Sequence, residues 1–301
     1  MAVRDLRKYY GDVRAVDGIS FEVPAGVVFT ILGPNGAGKT TTLEILEGIR
    51  DPDSGEMRAF DVALKRVDRK TKERMGVLLQ DGNFEPYLRV KEVVRLFSSF
   101  FRDAASVDEI LSRVALTEKA NAYVKGLSGG QKQRLAVGVA LVNDPDLIFL
   151  DEPTTGLDPQ ARRNMWSIIT DLRTAGKTII LTTHYMEEAE ALSDYVCIMD
   201  HGTIIAEGTP RDLTARLGEE TFIEFVAPGT DASSVEPLRD ACRAVRIDGE
   251  AVTVETEDLV ATMERLLAWS RETGRPLKGM TVRQPNLEDV FLSLTGRRLR
   301  E

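Results

Sequence analysis

The stretch GPNGAGKTT, Gly33 to Thr41, constrains this chain more than any other. It follows the apolar run Val27 to Leu32 and opens TTLEILEGI, which reads as a helix. A strand that hands over to a helix through Gly33, Gly36 and Gly38 leaves backbone N–H groups free to crowd around phosphate oxygens. Lys39 supplies the cation for the β- and γ-phosphates of a nucleotide, and the Thr40 hydroxyl suits Mg2+. Pro34, Asn35, Ala37 and Thr41 complete the loop. The competing reading is a chance glycine-rich turn, but strand, loop and helix all stand in order.

Two further apolar runs, Leu147 to Leu150 and Thr178 to Thr183, have no period-two alternation. That is the texture of strands buried on both faces of a parallel sheet. Each run ends in polar residues: Asp151 and Glu152 after the first, His184 after the second. In open α/β sheets ligands bind beyond the carboxyl ends of the strands, so these residues and the phosphate loop point to one site. Asp151 is placed to hold Mg2+, directly or through water. Glu152 is placed to act as base towards an attacking water. His184 is one of two histidines and is positioned for the γ-phosphate; His201, in the turn MDHGTI, reads as an ordinary turn residue. A fourth strand-like run, GVLLQ, ends at Gln80, whose neutral amide can coordinate Mg2+ and water.

LSGGQ, Leu127 to Gln131, is a second anion-binding pattern. Ser128 suits a helix N-cap, and Gly129 and Gly130 leave N–H groups exposed at the head of a helix running through Leu135, Val139 and Val142. A plain capped helix accounts for Ser128 but not for two glycines, each costing about 1 kcal/mol relative to alanine within a helix.

Composition limits the alternatives. The 301 residues are 43% hydrophobic and 29% charged, as in a globular protein, with a net charge of -9. An acidic chain is a poor general binder of nucleic-acid backbone. Cys197 and Cys242 have no metal or redox spacing, and Cys197 lies in the core-like run YVCIM. The N-terminus lacks the apolar segment of a signal peptide, and no apolar run approaches the ~20 residues that span a bilayer.

The expected fold is α/β, a P-loop nucleotide-hydrolase core interrupted by a helical insert over about 81–146. A first domain over 1–218 precedes a small α+β domain over 219–301, with strands at TFIEFV, CRAVRI, AVTVET and LKGMTV and a helix from Asp258 to Ser270. In the last stretch, Leu287, Val290, Phe291 and Leu294 have helical spacing and should pack together on the small domain.

The order Gly33 to Thr41, Gln80, Leu127 to Gln131, Leu147 to Glu152, GLDP and His184 resembles that of ABC-type ATPases, specifically the nucleotide-binding subunit of an ABC transporter. The similarity covers roughly residues 1–217, and LSGGQ is its most specific mark. It implies a head-to-tail dimer, homodimeric or with a similar ATPase, in which each ATP lies between one chain's phosphate loop and the other's Leu127–Gln131 helix. It further implies Tyr10, or alternatively Tyr9, as the adenine-stacking aromatic and Gln80 as the nucleotide-sensing loop residue. Asp158 matches the interface loop, Glu152 the catalytic base and His184 the switch histidine. A permease in the membrane would be the partner, with this chain peripheral on the cytoplasmic face.

The ending QPNLEDVFLSLTGRRLR resembles ABC-2-type exporters of the daunorubicin-resistance kind. NFEPYLRVKE, after Gln80, is the expected docking surface, with Phe84 and Tyr87 either exposed there or buried beneath the insert. The remaining alternative is an ABC-type ATPase acting on nucleic acid or ribosomes. Against it stand a single cassette, the absence of a heptad run and the acidic balance.

Overall fold

The computed structural model describes residues 1–64, 67–78, 84–218 and 220–296. Gln80 and Asn83 lie outside them. The chain divides into two compact units, one of Met1–Pro210 and a second beginning at Arg211.

The first unit starts with β1 (Ala2–Tyr10) and β2 (Val13–Glu22), then β3 (Val28–Leu32) and α1 (Lys39–Leu46). Next come β4 (Ser54–Ala59), β5 (Val62–Leu64), the short α2 (Arg69–Lys72) and β6 (Met75–Leu78). The helices α3 (Val90–Ser98), α4 (Val107–Arg113) and α5 (Gly129–Ala140) form the insert. The chain returns through β7 (Leu147–Asp151), α6 (Pro159–Thr174), β8 (Thr178–Thr183), α7 (Met186–Leu192), β9 (Tyr195–Asp200) and β10 (Thr203–Gly208). Strands β1, β2, β4 and β5 make an antiparallel sheet. The central sheet has the order β10-β9-β3-β8-β7-β6, parallel throughout except for β10.

Every residue of β3, β7 and β8 is buried. Their unbroken apolar texture follows, because each strand is covered on both faces. One side of the sheet joins the insert helices in a core around Val93, Ile110, Leu135, Ile148 and Ile179. The other joins the antiparallel sheet around Leu6, Phe29, Leu43 and Phe149. The parallel register sets Leu32 beside Thr183 and Asp151 beside Thr182, so three strand ends open on one edge.

The division falls ahead of the boundary expected at Gly218. That glycine, at φ 76°, stops the helix α8 (Pro210–Ala215), donating its N–H to the Ala215 carbonyl.

The second unit contains β11 (Thr221–Val226), β12 (Ala244–Asp248), β13 (Ala251–Thr256), α9 (Leu259–Thr273), β14 (Lys278–Arg283) and α10 (Leu287–Thr295). Its sheet, β12-β13-β11-β14, is wholly antiparallel. Ile223, Phe225, Val254, Leu266 and Trp269 form its core. Arg283 bonds Glu224 at 2.7 Å and Asp289 at 2.5 Å, tying β14 to β11 and α10. Leu287, Val290 and Phe291 are buried, but Leu294 is 46% exposed and departs from the expected stripe. Only Thr295 follows it in α10, at the helix end, where the face no longer needs cover.

At the foot of α1 the Glu47 carboxyl is buried. Burial, with Asp151 and Glu44 nearby, pushes it from the ordinary value of 4.5 up to about 8. The folded chain keeps a proton there that the unfolded chain releases. Stability should therefore fall as pH rises from about 4.5 through about 8. Thermal denaturation of Glu47→Gln across this range should show a flatter dependence than the parent.

Candidate functional site

The phosphate loop leaves β3 at Leu32 and enters α1 at Lys39. Gly36 and Gly38 have φ of 81° and 100°, where a side chain would be strained, and a Cβ at Gly38 would also collide with the Ala15 carbonyl. At Gly33 φ is not the constraint; a Cβ there would strike the Met199 carbonyl. The Ala37 N–H donates to the Pro34 carbonyl at 3.2 Å and closes the loop.

Lys39 is 4% exposed. Its ammonium donates to the Gly33 and Pro34 carbonyls at 2.9 and 3.1 Å and lies 3.4 Å from Glu152 Oε1. Burial lowers the Lys39 pKa, while Glu152 pulls it back up. The other carboxylate oxygen of Glu152 lies 3.2 Å from His184 Nδ1 and accepts from Thr155 Oγ1 at 3.1 Å. Burial alone would raise this carboxyl; the charges of Lys39 and His184 and the two side-chain hydrogen bonds outweigh it and hold Glu152 below its ordinary value. Glu152 has φ 45°, an uncommon left-handed conformation for this residue type. Its N–H donates to the Thr182 hydroxyl and carbonyl, which fixes the turn that aims the side chain away from Asp151.

Asp151 accepts from the Thr182 hydroxyl and, at 3.4 Å, from Thr40 Oγ1. Burial raises its pKa, and these two hydroxyls oppose the rise. Thr40 and Asp151 thus bring hard oxygen donors together, the chemistry that suits Mg2+.

A cleft of about 560 Å³ is lined by Tyr10, Asn35, Gly36, Gly38 to Thr41 and Glu152. Of the two candidate aromatics, Tyr10 lines it and is 41% exposed. Tyr9 is turned to Asp17, donating its hydroxyl at 2.6 Å. Arg14 and His201 line the same cleft. A lone histidine in a turn carries no sequence signal for this placement; only the docking of the β9–β10 hairpin on β2 reveals it.

Leu127 to Gln131 do not line this cleft among the described residues. Leu127 is buried in the insert core. Ser128 caps α5, its Oγ accepting from the Gln131 N–H while the Gln131 side chain accepts from the Ser128 N–H at 3.0 Å. The two glycines differ. A Cβ at Gly130 would lie 2.7 Å from Ala161 Cβ, whereas Gly129 faces open space. Gly130 thus lets α5 approach α6, which Asp158 caps through the Gln160 and Ala161 N–H groups at 2.9 Å each. The fold explains one glycine and leaves the other for function.

Of the proposed docking aromatics, Phe84 is partly buried, edge-on to Phe97 at 5.9 Å. Tyr87 is 68% exposed, with Lys125 Nζ 4.3 Å from its ring centre.

A phosphate loop on a parallel sheet, with an acidic pair and a histidine at neighbouring strand ends, defines a nucleotide-hydrolysing site. The profile of the ABC transporter family matches residues 16–155, and that of the C-terminal domain of ABC transporter domain-containing protein-like chains matches 221–286. The chain is 42% identical to the Nod factor export ATP-binding protein I of Burkholderia orbicola, over 99% of this chain and 97% of that one. It is 41% identical to the protein of that name from Rhizobium etli, over 98% and 93%. Among solved structures, it resembles the dimeric ATP-binding cassette MJ0796 in a post-hydrolysis state with ADP and Pi. The TM-score is 0.62 and the identity 27%, over 69% of this chain and 97% of that one. It also resembles cbiO1 of Clostridium perfringens, part of the transporter complex cbiONQ. There the TM-score is 0.64 and the identity 30%, over 72% and 90%.

The chain belongs to the ATP-binding subunits of ABC transporters. It binds ATP and hydrolyses it, and the nucleic-acid alternative falls away. No helix among the described residues is long and apolar enough to cross a membrane.

Gly129→Ala should leave the thermal midpoint unchanged or raised, since the new methyl meets nothing. Gly130→Ala should lose about 1–3 kcal/mol by overpacking against Ala161. Denaturant melts of both variants check the difference.

Proposed function

We propose that two copies of this chain, or one copy and a similar ATPase, close over two ATP molecules and so drive an exporting permease, from the cytoplasmic face of the cell membrane. The observation that carries this reading is the chain of contacts from Lys39 through Glu152 to His184. Lys39, buried and already paired, exchanges Glu152 for the β- and γ-phosphates when ATP enters. Glu152 is then free of its cation, held by His184 and Thr155, and positioned to accept a proton from the attacking water. Before that exchange the charges of Lys39 and His184 hold its carboxyl below the ordinary value, so it enters the cycle ionised. Tyr10 stacks on adenine, and the N–H groups of Gly36 to Thr41 surround the phosphates.

Thr40 and Asp151, with Gln80 beyond the described residues, are the groups that would hold Mg2+. The bound ion would neutralise charge on the β- and γ-phosphate oxygens.

The Leu127–Gln131 end of α5 supplies the second cradle to the other chain's ATP. Ser128, Gly129 and Gly130 present a hydroxyl and bare N–H groups at a helix N-terminus, while Asp158 holds the neighbouring helix in step. ATP then binds the closed state better than the open one, the differential affinity that closure requires to do work. Export, rather than import, follows the export for which the relatives in Burkholderia orbicola and Rhizobium etli are named. Tyr87 and Lys125 offer an aromatic–cationic patch for the permease. Cargo selection belongs to that partner.

Glu152→Gln should keep ATP affinity, slow phosphate release about 100-fold or more and accumulate an ATP-bound dimer on size-exclusion chromatography; rapid turnover by this variant would sink the base assignment. Ser128→Arg should bind ATP as a monomer yet neither dimerise nor hydrolyse, measured by the same chromatography and by nucleotide titration.

A further inference from the structure

His201 and Gly202 form the two-residue turn between β9 and β10, closed by the pair Asp200 and Thr203. Both have positive φ, 46° and 77°. The turn is pinned on both sides. The Asp17 N–H donates to the Gly202 carbonyl at 2.8 Å, and the Gly202 N–H donates to the Ala37 carbonyl at 3.0 Å. A Cβ at Gly202 would come within 2.5 Å of the Arg14 carbonyl. The hairpin tip is thus held between β2 and the phosphate loop by main-chain bonds.

Its outward side chain is the imidazole of His201, 80% exposed and on the wall of the nucleotide cleft. Tyr10, Lys39 and Glu152 line the same cleft. The hairpin docks against Arg14 and Ala15 of β2 and against Ala37 of the phosphate loop. A nucleotide with its base on Tyr10 and its terminal phosphates on Lys39 fills this cleft, and His201 and Arg14, beside the phosphate loop, line its wall.

We propose that His201, with Arg14, is a direct contact to the ribose–α-phosphate segment of the nucleotide, and that the contact strengthens when the imidazole is protonated. This rests on the placement of ATP between Tyr10 and Lys39. The charged and titratable groups facing the imidazole are Asp200, with Oδ2 at 3.8 Å from Nε2, and, around the cleft, Asp12, Arg14, Tyr10, Lys39 and Glu152. Asp17 bonds the turn by its backbone. The anionic segment of the nucleotide adds negative charge to this set, so a positive imidazole gains a partner on binding. The contact does not involve the γ-phosphate, so ATP and ADP should benefit alike.

The test is titration of fluorescent ATP and ADP with the full chain at pH 6 and pH 8, since imidazole changes its charge between pH 5 and 8. His201→Asn is the main variant, because Asn-Gly is the favoured sequence for such a turn and preserves the hairpin. It should weaken both nucleotides about two- to five-fold relative to wild type at pH 6, the scale of an exposed charge pair, and much less at pH 8. His201→Lys, charged throughout, should bind at least as tightly as wild type at pH 8. Equal affinity of wild type and His201→Asn at both pH values overturns the contact. A loss confined to ATP overturns its location. Tyr10→Ala separates the two readings: if it loses affinity while His201→Asn does not, only the histidine contact fails. If neither variant changes binding, the placement of the nucleotide fails as well.

Discussion

The site is organised around one buried charge. An ammonium that is 4% exposed cannot stay ionised without partners, and Lys39 finds three: two loop carbonyls and the Glu152 carboxylate. That requirement makes the loop curl back on itself. It also brings the exit of β7 to the mouth of β3 although β8 lies between them. The left-handed backbone of Glu152 follows, because only a sharp turn after Asp151 can send one carboxylate to Lys39 and leave the other with Thr40 and Thr182. Two adjacent acids thereby acquire opposite pKa directions, Asp151 raised by burial and Glu152 lowered by its neighbours' charges. Such divergence marks groups with separate tasks.

The same exchange of partners explains how nucleotide can be sensed. With no phosphate bound, the Lys39 charge is neutralised from within the chain. In the proposed cycle phosphate competes for it and releases Glu152 towards His184, which precedes α7; that helix is tied to α6 by the Trp166 indole donating to the buried Glu188 carboxylate at 3.0 Å. α6 begins at Asp158, and its Ala161 is the residue against which Gly130 packs. The head of α5, the cap of α6 and the histidine loop are therefore mechanically adjacent, although they serve different parts of the nucleotide cycle.

Much of this was legible from residue order. Unbroken apolar runs at β3, β7 and β8 announced a parallel sheet because burial on both faces leaves no polar alternation. The glycine spacing at Gly33 to Lys39 announced the phosphate loop because few other residues permit that backbone. The reading was weaker where a signal has two physical causes. Gly218 carries the signal of a helix stop as much as that of a domain boundary. Leu294 kept helical spacing beyond the point where its face is covered. Phe84 and Tyr87 are equally aromatic, yet Phe84 packs against the insert core and Tyr87 stays exposed.

By itself the sequence determined the class of fold, the glycine-rich loop after β3, the acidic pair at the end of β7 and the helix capped by Ser128, since each follows from local backbone needs and periodic burial. Tertiary structure alone decided which tyrosine faces the cleft, because that depends on Asp17 drawing Tyr9 away. It alone separated Gly129 from Gly130, through the approach of α6. It also brought His201 to the nucleotide wall, through bonds linking segments far apart in the chain. Contacts between distant segments leave no periodic trace in the chain that makes them.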